Sequence, residues 1–443
     1  MMRSICVALA LALGFTACSM GNGETSRWTK LFDGETLDGW FVHHGDLPFD
    51  VRNGEIVGAT AQGVPTRYLT TVDQYDDFIL KLEMNNTDGE NSGVQFRSVT
   101  DGLSYTGLTG YQLEVDPSER GWTGGIFFEG VRTWQHPPIH NPQCKAAWRK
   151  DEWNDLRIEA KGELVRTFVN DTACAYLFDQ YLSKGHIGLQ IHSIGSLPGK
   201  AGAETRWRNI RILANPNSQD YTAEDITADS NSHLIGRLSP LEKMNGWTLV
   251  RSQAEPASAW TEQRIQNPID GTGWIVDVAK INADDGPSSL TIPISGGKSY
   301  HFIADVQITP GTSGEILYPV FAAGPDNAVV ECMASYRIFD DRLLKKRSKN
   351  DPDLMGSLTG LIPAKNLSEP NRGKRVLTEN AWRRIELKIQ AEKVEHWLNA
   401  VKSLEYQGCQ SGIKTRQQVE PKIKISLDTG QVILRTIKMK SEV

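Results

Sequence analysis

The sequence predicts an all-β protein made of two tandem β-sandwich (jelly-roll) domains, and three observations carry that prediction. Short runs of alternating apolar and polar residues, bounded by Gly, Asn and Asp, recur through the first half: FILKLEM, GVQFRS, YQLEVD, DLRIEA, LVRTFVN, HIGLQIHS and NIRIL. Each reads as a strand with one buried face, and no amphipathic helix of convincing length interrupts them. WNDLRIEAKGELVRTFVNDTACAY at 153–176 then returns without a gap as WRRIELKIQAEKVEHWLNAVKSLEY at 382–406, aligning Trp153 with Trp382, Phe168 with Trp397 and Asn170 with Asn399. A repeat at this separation is domain-sized rather than solenoid-like. Finally, ANPNSQDYTAEDITADSNSH at 214–233 has almost no large apolar residue and reads as a linker between the copies.

The chain opens with MMRSICVALALALGFTAC, which has one Arg and an apolar run from Ile5 to Phe15. The run is too short to span a bilayer, so residues 1–17 read as a secretory signal. Cys18 after Thr16-Ala17 resembles a bacterial lipobox, which predicts an exported lipoprotein acylated at Cys18 and touching the membrane only through that anchor. Ser19 resembles the outer-membrane sorting pattern. The net charge of -6 is modest and speaks against a nucleic-acid partner, and KKRSK at 345–349 reads as a solvated loop. Cys144 and Cys174 fall in the first copy, Cys332 and Cys409 in the second. One disulfide per copy and four free thiols both fit.

The first domain, residues 27–213, holds the candidate site. Gln95-Phe-Arg97, Gln112-Leu-Glu114 and Gln190-Ile-His192 each place an amide and an ionisable group on one strand face, roughly 7 Å apart, while Phe96, Leu113 and Ile191 turn to the core. Donors and acceptors in fixed positions suit sugar hydroxyls. Trp122 could stack on a sugar ring, with Glu129, Arg132 and Trp134 following; Glu129 should share the face of Phe127. Asn53-Gly54 reads as a hairpin turn. Glu114, Asp116 and Glu119 spell the E-x-D-x-x-E of laminarinase-like glycosidases, but Pro117-Ser118 reads as the strand ending before Glu119 could join Glu114. His136 and His140 flank two prolines, which favours a loop over a metal pair.

The second copy spans 234–443. Its echo of the first sets Ile316 at Gln95, Tyr318 at Arg97, Ser426 at Gln190 and Asp428 at His192, so the polar set looks dissolved there. The site is expected in the first copy, and the second is expected to be a scaffold or binding partner.

WTKLFDGETLDGW, NGEIVG, NSGVQFRS, GYQLEVD, TGGIFFE, EWNDLRIEAKG, GLQIH and WRNIRI, in that order over residues 27–213, resemble the 3-keto-disaccharide hydrolase family. The resemblance implies a concanavalin A-like, laminarinase-like jelly roll that acts on glycosides oxidised to a ketone at C3. Phe127-Phe128 and the longer SLPGKAGAE loop depart from the family pattern. A C3 ketone acidifies the C2 hydrogen, so a base, an enolate stabiliser and an acid are needed. His192 is the expected base, Arg97 the stabiliser and Glu114 or Glu129 the acid. Glu114 and His192 could instead be ligands of a divalent metal, with Gln95, Gln112 and Gln190 holding hydroxyls. The alternative is a non-catalytic carbohydrate-binding lipoprotein.

Overall fold

In the computed structural model of the chain, the described residues are 27–222 and 247–441. Stretches at 44–46, 88, 101–105, 131–132, 139–140, 180, 250–255, 267–272, 295–297, 324–328, 341–350, 365–381, 399–400, 414 and 417–418 fall outside the description. So do the signal segment, Cys18, Arg132, His140 and KKRSK.

The first half folds into two antiparallel sheets. The larger runs Thr172–Phe178, Leu164–Val169, Asn154–Lys161, Phe78–Asn86, Glu204–Ala214, Glu55–Ala59 and Asp50–Arg52, with Thr29–Lys30 added to Glu204–Ala214. The second runs Thr133–His136, Ile126–Glu129, Thr109–Val115, Ser92–Val99, His186–Ile191, Arg67–Thr71 and Trp40–His43. Alternate residues from both sheets, among them Leu80, Leu82, Ile158, Val94, Phe96, Leu113 and Leu189, meet in one buried core, as the period-2 pattern demands. Asn53 and Gly54 both take positive φ in the turn that joins Arg52 to Glu55, as expected from their identity.

The second half repeats this architecture. Its large sheet runs Val401–Gln407, Lys393–Leu398, Arg383–Gln390, Tyr300–Ile308, Gln431–Ser441, Gly273–Asn282 and Trp260–Gln266, with Trp247–Leu249 added to Gln431–Ser441. The strand order matches the first sheet element for element, and 153–176 and 382–406 supply the same three-stranded meander. The match reaches side chains: the Arg208 guanidinium lies 3.9 Å from the Trp153 ring centroid, and Arg435 lies 3.7 Å from that of Trp382. The protein is therefore two β-sandwiches of one design.

Each half carries one disulfide. Cys144, in the short helix Pro142–Ala147, bonds Cys174, and Cys332 bonds Cys409. Closing loops of 30 and 77 residues restricts the unfolded chain by about 4 kcal/mol each. The expected linker needs one correction. Residues 215–222 pack on the first sandwich: Tyr221 is buried, its hydroxyl donates to Ala160 O (3.0 Å), and Asp220 pairs with Arg27 (2.8 Å). A stretch poor in apolar residues still docks when its one aromatic finds a groove. The rest of the linker lies outside the described residues.

Candidate functional site

The smaller sheet of the first sandwich turns its core face inward and its polar face away. On that polar face, His43, Tyr68, Gln190, Gly93 and Glu114 stand in one register row. Phe41, Thr70, Gly188, Gln95, Gln112, Phe127 and Trp134 form the next. Gln95, Gln112, Gln190 and Thr70 are all almost fully buried, so the face is not a solvated exterior.

A directed chain of hydrogen bonds crosses it. Ser98 Oγ donates to Gln95 Oε1 (2.7 Å), Gln95 Nε2 to Gln112 Oε1 (2.8 Å), and Gln112 Nε2 to Glu114 Oε2 (2.6 Å). Asn91 Nδ2 donates to the other carboxyl oxygen, Oε1 (2.6 Å). The Gln112 side chain lies across Gly93, where a Cβ would come within 2.5 Å of its Cδ, so glycine at 93 is what permits the bridge. Burial pushes the Glu114 carboxyl up to about 7, against the two amide donors, which favour the carboxylate. A carboxyl poised there can exchange a proton near neutral pH.

Two polar atoms on this face are buried without a partner: Gln190 Oε1 and Thr70 Oγ1. Gln190 Nε2 donates to the Tyr68 hydroxyl (3.0 Å). Unmet buried groups each cost about 1–3 kcal/mol.

The other expected residues are placed differently. Arg97 leaves the polar face: it takes φ +46° in a bulge between Phe96 and Val99, and its guanidinium donates to Asp76 O (2.8 and 2.6 Å) and Gly162 O (2.7 Å). It staples two loops, and its expected role as enolate stabiliser is withdrawn. His192 does not continue the Gln190 face, because the strand ends at Ile191; it sits exposed at the rim, Nδ1 2.7 Å from Ser193 O. Glu129 shares the face of Phe127 as expected, opposite Gly110. That is four residues along the neighbouring strand from Glu114, about 13 Å away. Trp122 stacks edge-on against Trp134 (4.7 Å), with the Arg120 guanidinium over its ring (4.2 Å), so that surface is already occupied. Asp116 binds Arg120 (2.6 Å) and Glu119 is exposed in the turn, which leaves no glycosidase pair with Glu114. Among the described residues, no group of three or more His, Cys, Asp or Glu is gathered to hold a metal ion around Glu114 or His192. Asn91, Tyr68 and Thr70 were not singled out by the sequence; a polar residue on each side of a recognised strand pattern is too common a signal.

In the second sandwich the echo misassigned the faces. Ile316 and Tyr318 point into the core. The outward positions on that strand are Glu315 and Leu317, beside Ser426 and Lys424. The corresponding face there is not stripped of polar groups.

Residues 27–213 match the family described as the 3-keto-alpha-glucoside-1,2-lyase-like domain, over the same span as the sequence resemblance. Among solved structures, a provisionally assigned glycosyl hydrolase from Parabacteroides distasonis ATCC 8503 is 17% identical, over 42% of this chain and 98% of its own, with a TM-score of 0.29. The carbohydrate binding module CBM66 from Bacillus subtilis is 16% identical, over 40% of this chain and 96% of its own, with a TM-score of 0.29. No curated protein matches the chain.

Proposed function

We propose that residues 27–213, which carry the 3-keto-alpha-glucoside-1,2-lyase-like domain, act on 3-keto-glycosides by elimination followed by addition of water. The observation that supports this most is Glu114, a buried carboxyl held near neutral pKa at the end of a row of amide donors. Loss of the C2 proton gives an enolate across C2, C3 and the ketone oxygen. Collapse of that enolate breaks the bond from C1 to the leaving oxygen, which takes a proton from Glu114, and leaves a C1–C2 double bond conjugated to the ketone. Water then adds at C1 and a proton returns to C2, completing net hydrolysis.

His192 is the proposed base. Its Nδ1 lies 2.7 Å from Ser193 O at the rim of the sheet. With Arg97 committed elsewhere, Gln190, Thr70 and Tyr68 are the groups left to hold the sugar and its ketone oxygen. Export and an acyl anchor on Cys18 complete the reading and rest on the leader pattern. Aglycone release from a 3-keto-glucoside, compared between the wild type and Glu114→Gln, tests it: turnover unchanged in the variant would refute the assignment. A carbohydrate-binding role without turnover is the second reading, favoured by the unpartnered Gln190 Oε1 and Thr70 Oγ1.

A further inference from the structure

We propose that the second sandwich carries its own binding site for a neutral oligosaccharide, on the sheet face that corresponds to the polar face of the first. The five-stranded sheet here runs Ser289–Pro293, Lys422–Thr429, Ser313–Ala323, Val329–Phe339 and Thr415–Arg416. Its three central strands occupy the places held in the first sandwich by the strands of Gln190, Gln95 and Gln112. Core residues Ile316, Tyr318, Ala334, Tyr336, Ile423 and Ile425 fill one face. Over the other lies a cavity of about 780 Å³, floored by Glu315, Leu317, Met333, Ser335 and Lys424 and walled by Leu358, Thr359 and Ile413. That volume is within the ordinary range for small-molecule sites.

The lining decides the ligand class. Lys424, Leu317 and Ser335 stand in register across the floor, with Glu315 two residues from Leu317 on the same strand. Lys424 and Glu315 are diagonal neighbours, about 7–8 Å apart at the backbone, and among the described residues neither has a salt bridge. They therefore stand as a separate donor and acceptor. Lys422 is neutralised by Glu420, so the four charges balance and the cavity has no preference for a net charge. Thr359 Oγ1 is buried without a partner. Hydroxyls that donate and accept at once, on a ring with apolar C–H faces, match this alternation of Lys, Glu, Ser and Thr with Leu, Met and Ile. The site does not depend on the chemistry assigned to the first sandwich.

The test uses the full mature chain carrying Glu114→Gln, titrated calorimetrically with cello-, laminari- and malto-oligosaccharides and with oligogalacturonate as an anionic control. Binding of at least one neutral series is expected, weakened about tenfold or more by Ser335→Trp, which fills the cavity, and by Lys424→Met, which removes the donor while keeping the stem. Thermal melting of both variants must match the parent, so that a loss of binding reports the cavity; if one fails to fold, the other decides. Three outcomes would each overturn the proposal: no neutral series binding, binding indifferent to both substitutions, or binding of oligogalacturonate alone.

Discussion

Gln112 and Glu114 stand side by side on one strand, the amide Nε2 donating to carboxyl Oε2 across 2.6 Å, while burial raises the same carboxyl to about 7. A buried acid above its ordinary value costs stability. Between about 4.5 and 7 the folded state binds the proton that the unfolded chain has released, so stability falls as pH rises through that window, by about 3 kcal/mol at most. Glu114→Gln should therefore melt higher than the wild type near pH 8 and equally near pH 4, measured by calorimetry, while losing turnover by a hundredfold or more, on the order expected for a general acid.

The Gln112 donor can be separated from the acid it serves. Gln112→Leu removes a bond that favours the carboxylate, so the Glu114 pKa should rise further. If Glu114 donates its proton, kcat/KM falls as pH rises through about 7 in the wild type. In Gln112→Leu that fall should move to higher pH. A pH-rate profile in which the limb stays put would remove Glu114 from the acid role.

Arg97→Ala should behave as a structural lesion. It strips donors from Asp76 O and Gly162 O at a site only 1% exposed. A loss of about 2–4 kcal/mol in urea denaturation is expected, with turnover per folded molecule within about twofold of wild type. Turnover lost in a stably folded variant would restore the stabiliser role.

His396 supplies a pH test of the second sandwich. It is fully buried, Nδ1 donating to Gly356 O (3.0 Å) and Nε2 accepting from Tyr318, and burial presses it down to about 4. Below its ordinary 6.5 the unfolded chain takes up a proton that the folded state refuses. Stability should thus be full above about 6.5 and fall toward pH 4 by about 3 kcal/mol. The slope should flatten in His396→Gln, read by denaturant titration across that range.

Where the strands are regular, the alternation of the sequence predicts which face each side chain takes. Gln112-Leu-Glu114 lies inside an unbroken strand, so the two-residue period placed both side chains on the buried polar face. Gln95-Phe-Arg97 failed because the bulge at Arg97 turns it to the other side, and Gln190-Ile-His192 failed because pairing stops at Ile191. In the second copy the echo runs one residue out along Ser313–Ala323, which exchanges the two faces of a strand that itself alternates regularly. Bulges and strand ends depend on partner strands, so composition and spacing carry little trace of them. The duplication was legible because a long meander preserves its Trp, Asn and apolar positions whatever its partners do.

In the proposed reaction the first sandwich eliminates the aglycone from a 3-keto-glycoside with Glu114 as the proton donor. The most direct measurement is aglycone release by the mature chain from a 3-keto-glucoside and from its unoxidised parent, each repeated with Glu114→Gln. Release from the keto form alone, abolished by the substitution, is the predicted result. Equal release from both sugars, or release that survives Glu114→Gln, would contradict it.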